Sequence, residues 1–233
     1  MNIKTCTIFI PLFNEEDIIR KNVHRLLEFT SAHNLDSEII LGSNGSTDST
    51  PEIIKQLSLK HDNIKNFHIP RKGTGKAFIE GIKIASNECI ISLDIDLSTN
   101  INFILLAIQF LEYAVMIIGC KRMRLQQRPF VRKLGSNFFI FIASTLLGTG
   151  AADFSIGAKA YRRSFVLKHI EELDAGTAYV LELIYFAAKE EEQIIELPVD
   201  CNDNRQSHFN LVSETLYKFK HLFSFFLQQK TKN

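Results

Sequence analysis

The chain is predicted to fold as an α/β protein, with a mostly parallel, doubly wound, Rossmann-like sheet flanked by helices. Strand-like and helix-like segments alternate between residues 5 and 119, and this alternation is typical of parallel strands joined by right-handed helical crossovers. The run that begins at Cys89 is largely apolar, as expected for a strand that helices cover on both faces. With 233 residues and 45% hydrophobic content, the chain can bury one substantial core, so we expect one domain over residues 1–233.

The elements of the first half are predicted from apolar runs and the turn residues between them. Strands are expected at 5–10, 38–41, 64–69, from Cys89 onward and at 115–119; helices are expected at 15–33, after Pro51, at 77–85 and at 103–112. Pro11 is expected to end the first strand. Asn14 is expected to cap the first helix, and Pro51 to lie near the start of the second.

The second half has a less regular pattern. Residues 121–133 carry six cations and no acid, and residues 134–147 form a phenylalanine-rich helix candidate. This order suits a surface that contacts anionic lipid headgroups, although a solvated loop before a core helix is an equal alternative. Further elements are expected as a strand at 156–161, helices at 164–173 and 179–189, a strand at 193–199 and a last helix at 211–228. The last helix is amphipathic and cationic, and could be a packing helix or a second interfacial one.

Composition excludes several function classes. A net charge of +1 argues against a polyanion partner, so nucleic acid is not expected. The four cysteines, Cys6, Cys89, Cys120 and Cys201, have no metal-ligand spacing and indicate reduced thiols in a cytosolic protein. We find no secretory signal, and the most apolar window, 101–120, divides into a helix and a strand rather than a membrane span. Lone histidines such as His24, His61 and His169 are expected at the surface.

The decapeptide 89–98, C-I-I-S-L-D-I-D-L-S, is predicted to bring two carboxylates to the end of a buried strand. Ligands collect beyond the carboxyl ends of strands in open α/β sheets. Asp94 and Asp96 could there hold a hard divalent cation against a diphosphate. The alternative is a strand end with two solvated aspartates.

Two other loops should meet this one at the carboxyl edge of the sheet, because neighbouring strands lie only about 4.8 Å apart. The polar set consists of Pro11, Phe13, Asn14 and Glu15 after the first strand, Gly42, Ser43, Asn44 and Asp48 after the second, and Asp94, Asp96 and Ser98 after the fourth. The first two loops suit a nucleoside and the third a metal-bound diphosphate. The glycine loop R-K-G-T-G-K fits neither a Walker loop nor the dinucleotide spacing.

Five segments in order resemble family 2 of the inverting glycosyltransferases, which have the GT-A fold, and within it the polyprenyl-phosphate (dolichol-phosphate) mannose synthase branch. They are T-I-F-I-P-L-F-N-E-E, S-N-G-S-T-D-S-T, R-K-G-T-G-K-A-F-I-E-G-I, S-L-D-I-D-L-S and D-F-S-I-G-A-K-A-Y-R-R. The resemblance extends from about residue 5 to 205. It implies a nucleotide-sugar-binding half at about 1–120 and an acceptor-binding half with interfacial helices at about 121–233.

The resemblance also implies roles for individual residues. Those expected to bind the nucleotide-sugar are Pro11, Phe13, Asn14, Glu15, Gly42, Asn44, Asp94, Ile95 and Asp96. Asp94, Asp96 and Ser98 are expected to serve Mg²⁺ or Mn²⁺. The expected catalytic set is Asp94, Asp96, Lys121, Arg132 and Arg205, and Arg132 and Asp153 are expected to contact the acceptor.

The sequence departs from the family pattern at two places. Ser43 and Asn44 stand where the family has two adjacent aspartates, and the lysine that often follows the arginine at position 205 is missing. Asp153 is interpreted as an acceptor-site residue, with a structural hydrogen-bonding role as the alternative. Glu182, on an apolar helix, is interpreted as structural.

The resulting hypothesis is an enzyme that moves a mannose or glucose from a GDP- or UDP-hexose to a polyprenyl phosphate, with inversion. We expect it to be cytoplasmic and peripheral on the cytoplasmic face of a membrane, where a membrane-protein partner could hold it. One alternative is transfer to a sugar hydroxyl, which would need a base such as Asp153 or Glu182. Another is a catalytically weakened nucleotide-binding or scaffolding homologue, suggested by Ser43 and Asn44.

Overall fold

A computed structural model describes residues 5–120, 156–200 and 211–232 of the chain. Side chains near both ends of the last segment are not described. The predicted basic run at 121–133 and the predicted helix at 134–147 lie outside the described residues, and so do four predicted site residues, Lys121, Arg132, Asp153 and Arg205.

A seven-stranded sheet forms the centre of the molecule. Its strands are β1 (Thr5–Leu12), β2 (Asp36–Asn44), β3 (Ile64–Ile69), β4 (Cys89–Ser92), β5 (Met116–Cys120), β6 (Lys159–Arg162) and β7 (Ile194–Pro198). They lie in the order β3-β2-β1-β4-β6-β5-β7. β6 runs antiparallel to both neighbours, β4 and β5, whereas the other pairs are parallel. The predicted α/β fold with a mostly parallel sheet is confirmed.

Helices connect and cover the strands. They are α1 (Ile19–Ala32), α2 (Thr50–Lys60), α3 (Thr74–Ile84), α4 (Phe103–Phe110), α5 (Arg163–His169) with a short 3₁₀ turn at Ile170–Glu172, α6 (Tyr179–Lys189) and α7 (Leu211–Lys232). α1 packs beside α2, and α3 beside α5. Residues 6–10 of β1 and 39–44 of β2 are buried without interruption, because successive side chains of a strand point to opposite faces and helices cover both.

Phe78 of α3 joins the two halves of the core. Its ring centroid lies 6.1 Å from that of Phe9 on β1, 5.0 Å from that of Tyr161 on β6 and 4.5 Å from that of Tyr179 on α6. Such aromatic pairs add to the energy of burial. Strands β1 and β6 and helices α3 and α6 therefore share one core.

Three local predictions differ from the structure. Pro11 lies inside β1, where it pairs with Gly42 of β2, so it does not end the strand. Asn14 has φ of 54° and its side chain bonds to the neighbouring loop; α1 therefore starts only at Ile19, and its N-cap Ile18 makes no side-chain cap bond. His169 was expected at the surface but is buried, because its ring stacks on Phe186 at 4.1 Å between centroids.

Cys6, Cys89 and Cys120 are buried and free, as predicted, and Cys201 lies outside the described residues. Among the helices that the structure describes, none combines the length and apolarity that a bilayer crossing requires.

Candidate active site

The loops after β1 and β2 are joined by hydrogen bonds at the carboxyl edge of the sheet. Asn14 Oδ1 accepts a bond from Thr47 N at 2.8 Å, and Asn14 N donates to Ser46 Oγ at 3.2 Å. Glu15 N donates to Thr50 Oγ1 at 2.9 Å. Because Asn14 and Glu15 hold the second loop in place, the two predicted nucleoside-binding segments form one surface.

Asp48 fixes the start of α2 against the same surface. Its Oδ1 accepts a bond from Thr50 N at 3.0 Å, and its Oδ2 accepts one from Glu16 N at 3.2 Å. Partial burial opposes ionisation, but the bonds from Thr50 and Glu16 outweigh it and lower the pKa of Asp48. The carboxylate stays charged and keeps both loops joined.

Ser43 and Asn44 are buried at the end of β2. Asn44 Oδ1 accepts a bond from Gly73 N at 2.6 Å. Ser43 Oγ donates to Ser46 Oγ at 3.1 Å and lies 3.0 Å from His68 Nδ1 at the end of β3. One bond of the Asn44 amide is thus directed to the glycine loop after β3, so Asn44 positions that loop.

The glycine loop brings a cation onto the predicted nucleoside surface. Lys72 Nζ lies 3.9 Å from the centroid of the Phe13 ring. Phe13 is half-buried and Lys72 is exposed, which is the geometry of a cation–π pair at a solvent-accessible site. Phe13 therefore presents an aromatic face beside a positive charge, a combination that suits a nucleotide.

Asp94 and Asp96 follow β4 in a tight turn. Asp96 Oδ1 accepts a bond from Ser98 N at 2.9 Å. Leu97, which lies between Asp96 and Ser98, has φ of 50°. Asp94 is exposed and Asp96 half-buried, whereas Ile95 between them is buried in the core. The turn thus anchors itself through Ile95 and leaves the two carboxylates at the edge of the sheet.

Gly157 provides the space for Asp94. A Cβ at position 157 would lie between 2.1 and 2.5 Å from the carboxyl atoms of Asp94, far inside contact distance, so no larger residue fits without moving the carboxylate. Burial raises the pKa of Tyr179, and the nearby Asp94 carboxylate raises it further. Tyr179 therefore remains a neutral phenol near Asp94.

The donor set fits a divalent cation that is shared with a ligand. Two carboxylates are hard oxygen ligands of the kind that Mg²⁺ and Mn²⁺ prefer, and Mg²⁺ usually takes its other ligands from substrate phosphates and water. Over residues 5–120, 156–200 and 211–232, no cluster of three or more His, Cys, Asp or Glu side chains could enclose a metal by itself. Asp94 and Asp96 thus suit a cation that arrives with a diphosphate.

The structure brings most of the predicted nucleotide-sugar residues to one edge. Pro11 and Gly42 pair on adjacent strands, with Gly42 against the Phe67 ring, and the Asp94–Ser98 turn follows the next strand. The site residues predicted from the sequence do not include Lys72, His68 or Gly157. His68 at the end of the third strand and Lys72 just after it could have been found from their place at the same sheet edge. Nothing local to Gly157 indicates its contact with Asp94.

A model of the family described as "Glycosyl transferase family 2" matches residues 7–170. The chain belongs to this family. Glycosyltransferase AglD of Haloferax volcanii is 25% identical over 221 residues, covering 90% of this chain and 35% of that protein. Undecaprenyl-phosphate 4-deoxy-4-formamido-L-arabinose transferase of Photorhabdus laumondii is 25% identical over 214 residues, covering 91% of this chain and 66% of that protein. This family 2 chain thus spans between about one third and two thirds of the length of these curated relatives.

Solved structures confirm the predicted GT-A fold. Glucosyl-3-phosphoglycerate synthase from Mycobacterium tuberculosis in complex with UDP matches with a TM-score of 0.70 and 17% identity, covering 94% of this chain and 79% of that one. The mannosyltransferase PcManGT from Pyrobaculum calidifontis in complex with GDP-Man and Mn²⁺ matches with a TM-score of 0.56 and 15% identity, covering 83% and 54%. At these identities the likeness establishes the fold of this family 2 chain.

Proposed function

We propose that this family 2 chain transfers a hexose, mannose or glucose, from a GDP- or UDP-sugar to a polyprenyl phosphate with inversion at the anomeric carbon. The observation that supports this best is the pair of carboxylates, Asp94 and Asp96, at the sheet edge where the joined loops of β1 and β2 form the nucleoside surface. The names of the relatives supply the acceptor class, since one of them is an undecaprenyl-phosphate sugar transferase.

The proposed reaction is a single displacement. A phosphate oxygen of the polyprenyl phosphate attacks the anomeric carbon, the bond from that carbon to the diphosphate breaks, and the nucleoside diphosphate leaves with the bonding electrons. The attacking phosphate is already anionic at neutral pH, so alignment and stabilisation of the leaving group matter more than a general base.

Each described residue has a defined task in this scheme. Phe13 offers its ring to the base, with Pro11, Asn14, Glu15 and Gly42 forming the surface around it. Asp94 and Asp96, with the Ser98 turn, would hold Mg²⁺ or Mn²⁺, which supplies positive charge to the departing diphosphate. Solved relatives include complexes with Mn²⁺ and a nucleotide-sugar.

Four residues outside the described part of the chain complete the proposal. Lys121 and Arg205 would contact the phosphates of the donor. Arg132 and Asp153 would contact the acceptor.

Glu182, a candidate base for the alternative reaction on a sugar hydroxyl, has another role in the structure. It is buried on α6 and accepts bonds from Asp174 N and His221 Nε2. A carboxylate held in this way is poorly placed to take a proton from a substrate.

We further propose that the protein works as a peripheral protein at the cytoplasmic face of a membrane, because the acceptor is a membrane lipid. Phe223 and Leu227 are exposed on one side of α7, near the exposed Lys220. Apolar and cationic side chains on one helix face suit an interface with anionic lipid.

The deciding experiment measures nucleoside diphosphate release from UDP-glucose and GDP-mannose with Mn²⁺ or Mg²⁺, with and without a short-chain polyprenyl phosphate. We expect release that depends on both the metal and the acceptor, and that Asp96→Ala abolishes. Asp62→Ala, an exposed aspartate at the opposite edge of the sheet, serves as the matched control. Full activity of Asp96→Ala would refute the assignment, and nucleotide binding without turnover on any acceptor would favour the binding-only alternative.

A further inference from the structure

The backbone amides of the glycine loop, residues 71–76, are bonded on two sides. Gly73 N donates to Asn44 Oδ1 at 2.6 Å, Gly75 N donates to the Gly176 carbonyl at 2.6 Å, and Lys76 N donates to the Ala175 carbonyl at 2.9 Å. The first amides of a helix are often available to a phosphate, but those of Gly75 and Lys76 in α3 are taken by the turn at residues 174–176. This turn therefore sets the position of the loop.

The contact between loop and turn is close. A Cβ at position 75 would lie 2.0 Å from the Asp174 carbonyl oxygen and 2.6 Å from that of Gly176. Because these atoms belong to the backbone, they cannot move aside as a flexible side chain can. A shift of the turn at 174–176 must therefore shift the start of α3 and the loop before it.

The turn is held in its place by side chains of α6 and α7. Asp174 Oδ2 accepts a bond from Ala178 N at 2.9 Å, and Asp174 Oδ1 accepts one from the Tyr217 hydroxyl at 2.7 Å. Asp174 N donates to Glu182. Tyr217 belongs to α7, so the last helix contacts the turn directly.

A second contact from α7 supports the same turn. His221 Nε2 lies 2.7 Å from Glu182 Oε1, and His221 Nδ1 lies 3.9 Å from Asp174 Oδ1. The Glu182 side chain is only 2% exposed, and an isolated buried carboxylate is costly unless a partner compensates its charge. His221 provides that partner, one helical turn beyond Tyr217.

We propose that Tyr217 and His221 are positioning residues of the donor site, and that docking of α7 on the turn at 174–176 sets the glycine loop and with it Lys72 over Phe13. This inference rests on the proposed function, because it assigns the loop to the nucleotide. It gives α7 two faces with separate tasks: Tyr217 and His221 face the turn, whereas Phe223 and Leu227 face outward. Binding of the outward face of α7 to a membrane is thereby coupled, through Asp174 and Glu182, to the order of the glycine loop.

The test compares single-hydroxyl deletions on α7. Tyr217→Phe removes the bond to Asp174, and Ser224→Ala removes an exposed hydroxyl that bonds to the His221 carbonyl within the same helix. We expect Tyr217→Phe to weaken binding of UDP or GDP with Mn²⁺ about threefold to tenfold in calorimetry. Hydrogen exchange at residues 72–77 should become faster as well, and Ser224→Ala should change neither. His221→Gln keeps a hydrogen-bond donor but not the positive charge. Its nucleotide affinity and its exchange rate at residues 72–77 should lie between those of the wild type and Tyr217→Phe.

The outcomes separate this inference from the proposed function. Unchanged affinity together with unchanged exchange at residues 72–77 in Tyr217→Phe would overturn the positioning role while leaving the transferase intact. Failure of the wild-type protein to bind any nucleoside diphosphate would overturn the proposed function. The exchange measurement would still decide whether α7 orders the loop, because it needs no ligand.

Discussion

The carboxylate of Asp94 lies directly over Gly157, so that a Cβ on this glycine would stand 2.1 Å from Asp94 Oδ2. Residue 157 lies just before β6, whereas Asp94 follows β4, and the two strands are antiparallel neighbours. The position of one predicted metal ligand thus depends on a residue from a distant part of the chain.

Gly157→Ala should therefore displace Asp94 and leave the fold intact, because the clashing atoms are the end of a movable side chain. We expect metal-dependent turnover to fall about a hundredfold, the usual cost of misplacing a reacting group by about 1 Å. Nucleoside diphosphate release and the Mn²⁺ dependence of binding would measure it, with the thermal midpoint as the control for folding. Wild-type activity in a folded Gly157→Ala protein would show that Asp94 needs no such space.

Lys72→Met should weaken nucleoside diphosphate binding. The substitution keeps an apolar side chain near the Phe13 ring but removes the positive charge from the proposed donor surface. We expect the dissociation constant for UDP or GDP to rise about fivefold to tenfold, the effect of one charge-assisted contact. The salt dependence of binding should become shallower. Lys55→Met, an exposed lysine on α2, is the control. An unchanged constant and an unchanged salt dependence would remove Lys72 from the donor site.

His221 should make stability depend on pH near neutrality. The bond to Glu182 raises the pKa of His221 even though burial opposes it, and Asp174 adds to the rise. A pKa raised in the folded state means that the stabilisation is fully present below about pH 6.5, the ordinary value, and is lost as the pH rises through the folded pKa. Relative to wild type, His221→Gln should lower the free energy of unfolding by about 1–3 kcal/mol at pH 6.

Urea denaturation between pH 5.5 and 8.5 would measure this difference. His24→Gln provides the matched control, since His24 is exposed on α1 and pairs with Glu28 one turn along the same helix. The difference in the free energy of unfolding between wild type and His221→Gln is the quantity to follow. If it stays constant over this pH range, the charge of His221 contributes nothing to the docking of α7 on the turn at 174–176.

The exposed apolar residues of α7 should control lipid binding. Phe223→Ser with Leu227→Ser should reduce the partition of the protein onto vesicles that contain anionic lipid by about tenfold or more, because two apolar side chains no longer enter the interface. Leu59→Ser on α2, where the leucine is 78% exposed, should have no effect. Co-sedimentation with vesicles is the measurement, and equal partition of all three proteins would contradict an interfacial role for this face.

The sequence was sufficient to predict the alternating elements and the loops that meet at the sheet edge. Apolar runs and turn residues mark β1 to β5 and α1 to α4 because each depends mainly on local periodicity. The Asp94 and Asp96 pair was also found locally, since two carboxylates at the end of a buried strand form a pattern within one segment.

Contacts between distant segments could not be predicted in the same way. Asn is a residue type that is favoured at helix N-caps, but the bond of Asn14 to Thr47 in the next loop outweighs that local preference. Asn44 was expected at the nucleoside, and its bond to Gly73 depends on where the chain returns after β3. His169 likewise packs on Phe186 of α6, and Glu182 bonds to His221 of α7. No local pattern specifies either contact.

The place of β6 between β4 and β5 has a consequence for folding during synthesis on the ribosome. β4 lies at the middle of the finished sheet, yet one of its edges stays open until residues 159–162 have been synthesised. An open strand edge is a site of wrong pairing between chains. Nascent or truncated chains that end before β6 should therefore aggregate or require chaperones, although they already contain both aspartates and every loop of the proposed nucleoside surface.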